Sequence, residues 1–254
     1  MGRHKINSFV IRATRLTETS RVVTLFTKEL GKVKAVAKGV DRPRSKLAGM
    51  VELFSLVEAV LYKKESSDLG TLSDASQIEG YPGIAENPRK FGFGSAWCEI
   101  LDRTSHPDHP RPETFGLTEE YFRLMNRSKP ERSGLLFWTA LYRLLIIEGY
   151  APEIGKCASC GKTDFKTGVI ISLKRGGLIC GKCRDNDDTI IRLSSKSLDL
   201  LRKMSTESFE DMVEESIDEK TGKNSAEVIL AFASYHLGLP RNLKSFKFLE
   251  TLAD

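Results

Sequence analysis

The spacing of hydrophobic and polar positions changes character near residue 80. Before that point the chain reads as strands. Lys32–Lys38 alternates strictly, with Val33, Ala35 and Ala37 facing one way and Lys32, Lys34, Val36 and Lys38 the other. Lys5–Leu16 alternates more loosely and Arg21–Thr27 is β-branched and aromatic; Val51–Tyr62 and Leu69–Ile78 complete the set. Breakers at Glu18-Thr19-Ser20, Glu29-Leu30-Gly31 and Ser67-Asp68-Leu69-Gly70 separate these segments. Short antiparallel strands at this spacing predict a small closed barrel of the OB type, with an SH3-like barrel as the alternative.

After Tyr81-Pro82-Gly83 the period becomes helical. Phe91–Thr104 sets Phe93, Trp97, Ile100 and Leu101 at helical spacing, and Thr118–Asn126 opens on Thr118 as a candidate N-cap with acids in its first turn. Leu135–Gly149 is a strongly apolar helix that ends at a glycine, with Pro152 close behind. These three helices are expected to share one core. His106 and His109 lie in a proline-broken loop and read as loop residues, not metal ligands. Ser197–Met204, Ser208–Ile217 and Ser225–Leu237 are amphipathic, the last with Val228, Ile229, Phe232 and Tyr235 inward and His236 at the surface. Leu243–Leu252 is a short closing helix.

Four cysteines stand apart from this pattern. Cys157-x-x-Cys160 and Cys180-x-x-Cys183 are separated by 19 residues. Two such turns, each offering two thiolates, match a closed tetrahedral Zn²⁺ site. Thr167–Leu173 and Gly177–Ile179 read as two short strands between them, the plan of a zinc ribbon. Two independent redox pairs are the alternative, but no thioredoxin-like βαβ frame surrounds them. One structural zinc ion is therefore expected, contributing folding energy and leaving no open position for a catalytic water. Cys98, inside an apolar stretch, is expected in the core. The expected fold class is α+β and multidomain: an N-terminal OB-fold barrel over 1–80, a helical domain over 81–150 and 194–254, and a zinc-ribbon-like module over 151–193 inserted into it.

The net charge of +5 is small, but residues 1–46 hold 12 Lys/Arg against 3 Asp/Glu. A cationic first segment on a mildly acidic body implies a polyanionic partner. Arg12, Arg15, Arg21, Lys32, Lys34 and Lys38 belong to the first strands or their turns, and Asp41–Lys46 (DRPRSK) forms a basic loop after the third strand. On an OB barrel that face holds single strands. Phe9 and Phe26 are the nearest aromatics for base stacking. Binding is therefore expected to rest on phosphates, with little sequence preference. No phosphate-binding glycine loop, nucleophile elbow or paired carboxylates appear, so catalysis is not expected. The longest apolar run, Leu135–Ile147, contains Arg143 and is too short to span a bilayer. No signal peptide is expected at Met1–Lys5, and a reducing, cytoplasmic setting fits the cysteine usage.

Several of these motifs, in this order, resemble the bacterial recombination mediator family RecO. The resemblance rests on Gly31-Lys-Val-Lys34, Ala37-Lys-Gly39 and Arg42-Pro-Arg-Ser-Lys46, on Glu148-Gly-Tyr150-x-Pro152 ahead of Cys157-x-x-Cys160-Gly161, and on Leu243-Lys-Ser-Phe-Lys247. It covers nearly the whole chain. It implies a nucleoid-associated, non-enzymatic protein that binds single- and double-stranded DNA, anneals complementary strands and, with RecR, helps load RecA on coated single strands. It also implies contact with the acidic tail of single-strand binding protein, for which Phe137, Leu141 and Arg143 are candidate contributors beside the plainer reading of core with a capping arginine. On this reading Lys34, Lys38, Arg42, Arg44 and Lys46 hold phosphates, with Arg15 and Arg21 assisting. The alternatives are an RNA-binding or transcription-associated zinc-ribbon protein and a thiol redox enzyme.

Overall fold

The computed structural model describes residues 2–64, 67–165, 169–185 and 189–252. Five strands close into a barrel: β1 (Gly2–Arg15), β2 (Arg21–Thr27), β3 (Gly31–Ala37), β4 (Leu56–Lys63) and β5 (Leu69–Glu79). Three further strands, β6 (Val169–Ser172), β7 (Gly177–Ile179) and β8 (Ile190–Leu193), form a separate sheet. The helices are α1 (Pro82–Ala85), α2 (Pro88–Thr104), α3 (Pro112–Arg127), α4 (Ser133–Ile147), α5 (Ser195–Thr206), α6 (Phe209–Glu214), α7 (Glu219–Leu237) and α8 (Lys244–Glu250). Among the described residues no helix is long and apolar enough to cross a membrane.

The barrel order is β1-β2-β3-β5-β4, closed by β4 on β1. Most neighbours are antiparallel, but β3 and β5 are parallel. The cause is topological: β4 pairs with β1, which leaves the free edge of β3 to β5. Strand β3 alternates as its sequence predicts, with Val33, Ala35 and Ala37 buried and Lys34 exposed. These face Val10, Val23, Leu25, Leu61 and Leu72 in the barrel core.

The segment predicted to begin a strand at Val51 instead belongs to the connection between β3 and β4. That connection drops Val40, Leu47 and Val51 into the barrel core. It returns through Phe54, whose φ of 69° is left-handed and strained for a bulky residue. Its ring is buried against Phe91 and Phe122, at 5.6 and 5.7 Å between centroids.

Compactness divides the chain after Pro130 and before Leu243. One unit, Met1–Pro130 with Leu243–Asp254, joins the barrel to α1, α2, α3 and α8; the other is Glu131–Asn242. Helices α2 and α3 fall in the first unit and α4 in the second. The outer face of the barrel explains the grouping. Phe9 and Phe26 point away from the barrel interior and are fully buried. Phe9 lies 4.9 Å from Phe115 and 5.5 Å from Phe122, and Phe26 lies 5.9 Å from Phe115. Aromatic surface of this size must be covered, and α3 covers it. That helix starts at Pro112, six residues before Thr118, because a proline at N1 lacks only an N–H that the first turn would leave unpaired. Thr118 is internal; its hydroxyl donates to the Thr114 carbonyl and accepts the Trp97 indole N–H at 3.2 Å. In α2 the cap is Asn87, which accepts from the Arg89 and Lys90 amides. The carboxylate of Glu99 on α2 accepts from the Ser245 amide and hydroxyl and ties down the start of α8.

In the second unit, α4 packs on α5, α6 and α7. Phe137 and Leu141 are fully buried there. The Arg143 guanidinium donates to the Met204 carbonyl at 3.1 Å and to that of Glu207, closing the end of α5, and lies 4.0 Å over the Phe209 ring. These three side chains are core and cap, not the walls of a tail pocket. Tyr235 is 59% exposed, not inward, and His236 stacks on Tyr150 with 5.1 Å between ring centroids. The small sheet runs β7-β6-β8, and its strand β8 is not marked by the hydrophobic pattern of the chain. Thr167 and Gly168, expected at the start of the first ribbon strand, lie outside the described residues.

Gly31 turns β2 into β3 at φ +66°, and a Cβ there would lie 2.5 Å from the carbonyl oxygens of both His106 and His109. The same crossing is hydrogen-bonded, from the Lys32 amide to the His106 carbonyl at 3.1 Å and from the Asp108 amide to the Leu30 carbonyl at 3.0 Å. Gly31→Ala meets a left-handed penalty of about 1–2 kcal/mol and a clash with backbone. We expect its melting temperature to fall by at least roughly 4 °C in a thermal melt, whereas Gly49→Ala, left-handed but in open space, falls less.

Candidate nucleic-acid interface and metal centre

Each predicted phosphate-binding cation belongs to the barrel or its β3–β4 connection. Lys34 projects from the outer face of β3. Register sets it across from Thr24, and Thr24 across from Arg12, so one cross-strand row runs Arg12–Thr24–Lys34. Lys38 follows the end of β3. Arg42, Arg44 and Lys46 occupy the tip of the connection, between the buried anchors Val40 and Leu47, and all are exposed. Arg44 adopts φ 63°, which re-aims the chain at the tip. Backbone bonds from Asp41 to the Thr19 carbonyl, from Arg42 to Gly39 and from Ser45 to Arg42 hold the turn.

Arg15 and Arg21 face each other at the ends of β1 and β2. Like charges so placed repel, and the connection supplies the counter-charge. Arg21 donates to both oxygens of Asp41, at 3.1 and 2.6 Å, and to Glu52 at 3.3 Å. The Asp41 hydrogen bond holds the Arg21 guanidinium above its usual pKa. Arg21 thus clasps both legs of the connection. The Arg15 guanidinium donates to the Thr17 carbonyl at 3.3 Å.

A second carboxylate sorts the remaining cations. Asp102 on α2 receives Arg12 at 3.5 Å and Lys32 at 3.3 Å, and Lys32 also donates to its backbone carbonyl. Sequence spacing shows Lys32 and Lys34 on one face; it does not show that only the first is neutralised from a helix about 70 residues away. Among the described residues no carboxylate lies within ion-pair distance of Lys34, Lys38, Arg42, Arg44 or Lys46. The two aromatics expected to stack bases, Phe9 and Phe26, do not accompany them, since both are buried under α3.

The four paired cysteines converge. The sulfurs of Cys157, Cys160, Cys180 and Cys183 all lie within 4.8 Å of one another. Each pair sits on a tight turn, closed by Gly161 N–H to the Cys157 carbonyl at 2.9 Å and Cys183 N–H to the Cys180 carbonyl at 2.9 Å. The hairpin of β6 and β7 brings the second turn beside the first: the Ala158 amide donates to Leu178 at 2.7 Å and the Cys180 amide to the Cys157 sulfur at 3.4 Å. Ile179 and Phe165 pack against the sulfurs. Burial raises the Cys157 thiol, but amide donors from Cys160, Cys180 and Ser159 outweigh it and bring the group down to about 6. Shared hydrogen bonding with Cys160 and Cys180 pushes Cys183 up to about 12. Four sulfurs this close ionise together only around a cation, so the donor set fits one thiolate-loving, tetrahedral ion such as zinc. By contrast Cys98 is buried in α2 and burial pushes its thiol far up, which leaves it inert at neutral pH.

Comparison with known proteins agrees in both halves. The family profile described as "Recombination protein O N terminal" matches residues 1–81, and that described as "Recombination protein O C terminal" matches residues 85–245. The chain is 33% identical over 184 residues to the DNA repair protein RecO of Desulfitobacterium hafniense, covering 72% of this chain and 66% of that protein. It is 29% identical over 260 residues to the DNA repair protein RecO of Symbiobacterium thermophilum, covering 99% and 98%. The Anaeromyxobacter dehalogenans protein of the same name is 27% identical over 252 residues, covering 99% and 98%.

Metal analysis of freshly purified protein is expected to return one zinc per chain. Its retention is pH-dependent with a definite sign: the ligands are thiolates, so acidification returns protons to sulfur and releases the ion. Release should be complete in mild acid and reversed on neutralisation. Cys157→Ser should lose the ion and unfold residues 151–193, since structural zinc contributes about 10–16 kcal/mol to such modules. Full occupancy in that variant would show that Cys157 is not a ligand.

Proposed function

The chain belongs to the recombination protein O family of DNA repair proteins, and from that premise we propose that it is a non-enzymatic mediator that grips DNA by its phosphates and anneals complementary strands. The strand order β1-β2-β3-β5-β4 and the parallel β3–β5 pair support reading the barrel as an OB fold. On that barrel Lys34 and Lys38, with the tip of Arg42, Arg44 and Lys46, are the proposed phosphate ligands. Arg15 assists from the neighbouring strand end. Arg21 acts through the connection: engaged with Asp41 and Glu52, it positions the tip.

The observation that carries this reading is the separation of charge. Arg21, Lys32 and Arg12 are consumed by Asp41, Glu52 and Asp102. The cations of the β3 outer face and the tip are left for solvent. Unpaired surface cations on an ordered loop are what a polyanion displaces counterions to reach. The lack of a stacking ring suits annealing. Two phosphate chains must approach while their bases stay open, and a surface that reads only phosphates screens the repulsion without sequestering the bases. The proposed ligands are single- and double-stranded DNA. Family resemblance extends the proposed partners to RecR, for RecA loading on coated strands, and to the acidic tail of single-strand binding protein. A protein acting this way works in the cytoplasm, at the nucleoid.

Replacing Arg42, Arg44 and Lys46 by Ala should weaken binding of single-stranded oligonucleotides similarly for all sequences. The slope of log affinity against log salt should flatten by about 0.7 for each phosphate the variant no longer neutralises. An unchanged slope would show that the tip does not touch the backbone. Annealing of coated complementary oligonucleotides, with and without RecR, tests the activity itself. Equal or tighter binding to RNA of the same length would favour an RNA-binding role instead.

A further inference from the structure

We infer that the rim of the two cysteine turns is a second surface for the phosphate backbone of nucleic acid, carried by the other compact unit; the inference rests on the DNA-binding reading above. Residues 151–193 carry eight Lys/Arg and five Asp/Glu. That excess is modest, but its placement is not. Lys156 and Lys162 flank the first cysteine pair, Lys182 lies within the second, and Arg184 follows it. Because the four sulfurs lie within 4.8 Å of one another, these cations share one end of the module. The β6–β7 turn joins them there: Arg175 donates to the Ser159 hydroxyl at 3.1 Å, which brings Lys174 and Arg175 beside the first pair.

Two of the local acids have partners of their own, Asp164 is exposed, and the cations are open. The Glu153 carboxylate accepts from the Gly155 amide at 2.8 Å, and Asp185 pairs with Arg175 at 3.8 Å. Lys156, Lys162, Lys174, Lys182 and Arg184 are exposed and have no ion pair among the described residues. A tetrathiolate centre around a dication is itself dianionic, and screening it is a competing role for these side chains. Screening alone leaves their outward exposure without a use.

The occupant is nucleic acid and not an acidic protein segment. A protein partner needs apolar anchors at the centre of its footprint. Between residues 151 and 193 no described large hydrophobic side chain is exposed. A phosphate backbone needs only cations. With the tip on one unit and the rim on the other, the protein has two grips of the same kind, and annealing requires that two strands be held.

The test uses the full, zinc-loaded chain and a thymidine oligonucleotide. In the wild-type protein, Lys162 and Lys182 should be protected from amine acetylation when the oligonucleotide is bound, as read by mass spectrometry. Absence of protection overturns the inference with no variant needed. Equal protection by polyglutamate at matched charge makes the rim a general polyanion surface and also overturns it. The variant Lys162→Ala/Lys182→Ala/Arg184→Ala should keep its zinc and its melting temperature, and its salt slope should flatten by about 0.7 per phosphate left unneutralised. Zinc loss with an unchanged slope means that these cations only screen the thiolates. The variant with Arg42, Arg44 and Lys46 replaced, measured alongside, separates the two claims. A change there alone leaves the barrel reading standing and this one fallen; a change in the rim variant alone does the reverse.

Discussion

Three apolar side chains, Val40, Leu47 and Val51, carry the β3–β4 connection into the barrel core, and the cationic tip depends on them. A connection of this length without regular structure is ordinarily a mobile one. Here the segment between Val40 and Leu47 is pinned at both ends, and the Arg21 clasp on Asp41 and Glu52 closes the base. Arg42, Arg44 and Lys46 are thus presented from a short exposed turn. Less entropy is lost when such a turn meets a ligand than when a free arm does.

The same economy governs the barrel's charge. Cations near the strand ends and helix contacts are tied to Asp41, Glu52 and Asp102, which hold the connection and α2 against the barrel. The ones left over lie together on the outer face of β3 and at the tip. The proposed binding therefore draws on different arginines and lysines of this basic segment from those that hold the fold. In the second unit the division is similar: Arg143 closes a helix end, and the cations around the cysteine turns face water.

Local signals were legible in the chain. The period-two run at Lys32–Lys38 reported β3 and its buried face, and the two Cys-x-x-Cys turns reported a centre whose sulfurs do meet. Composition marked the cationic segment. Pairing across long separations was not legible. Nothing in the spacing of β4 says that it closes on β1 and leaves β3 to a parallel β5. Phe9 and Phe26 sit on strands where an aromatic is equally at home facing a ligand or a helix; only the docking of α3 decides. Thr118 carried every local mark of a helix start, yet Pro112 opens the helix earlier. Arg21 and Lys34 look alike in sequence and differ because Asp41 folds back onto one of them.

The burial of Phe9 and Phe26 has a kinetic meaning. A ring wedged between bases fixes a strand in place, and each such wedge must be withdrawn before the strand advances by one nucleotide. A track made of lysine and arginine alone presents the same potential at every nucleotide, so a held strand drifts lengthwise over low barriers. On the proposed reading, two strands brought together out of register on such a surface would not need to dissociate to correct themselves; they would creep until their sequences match.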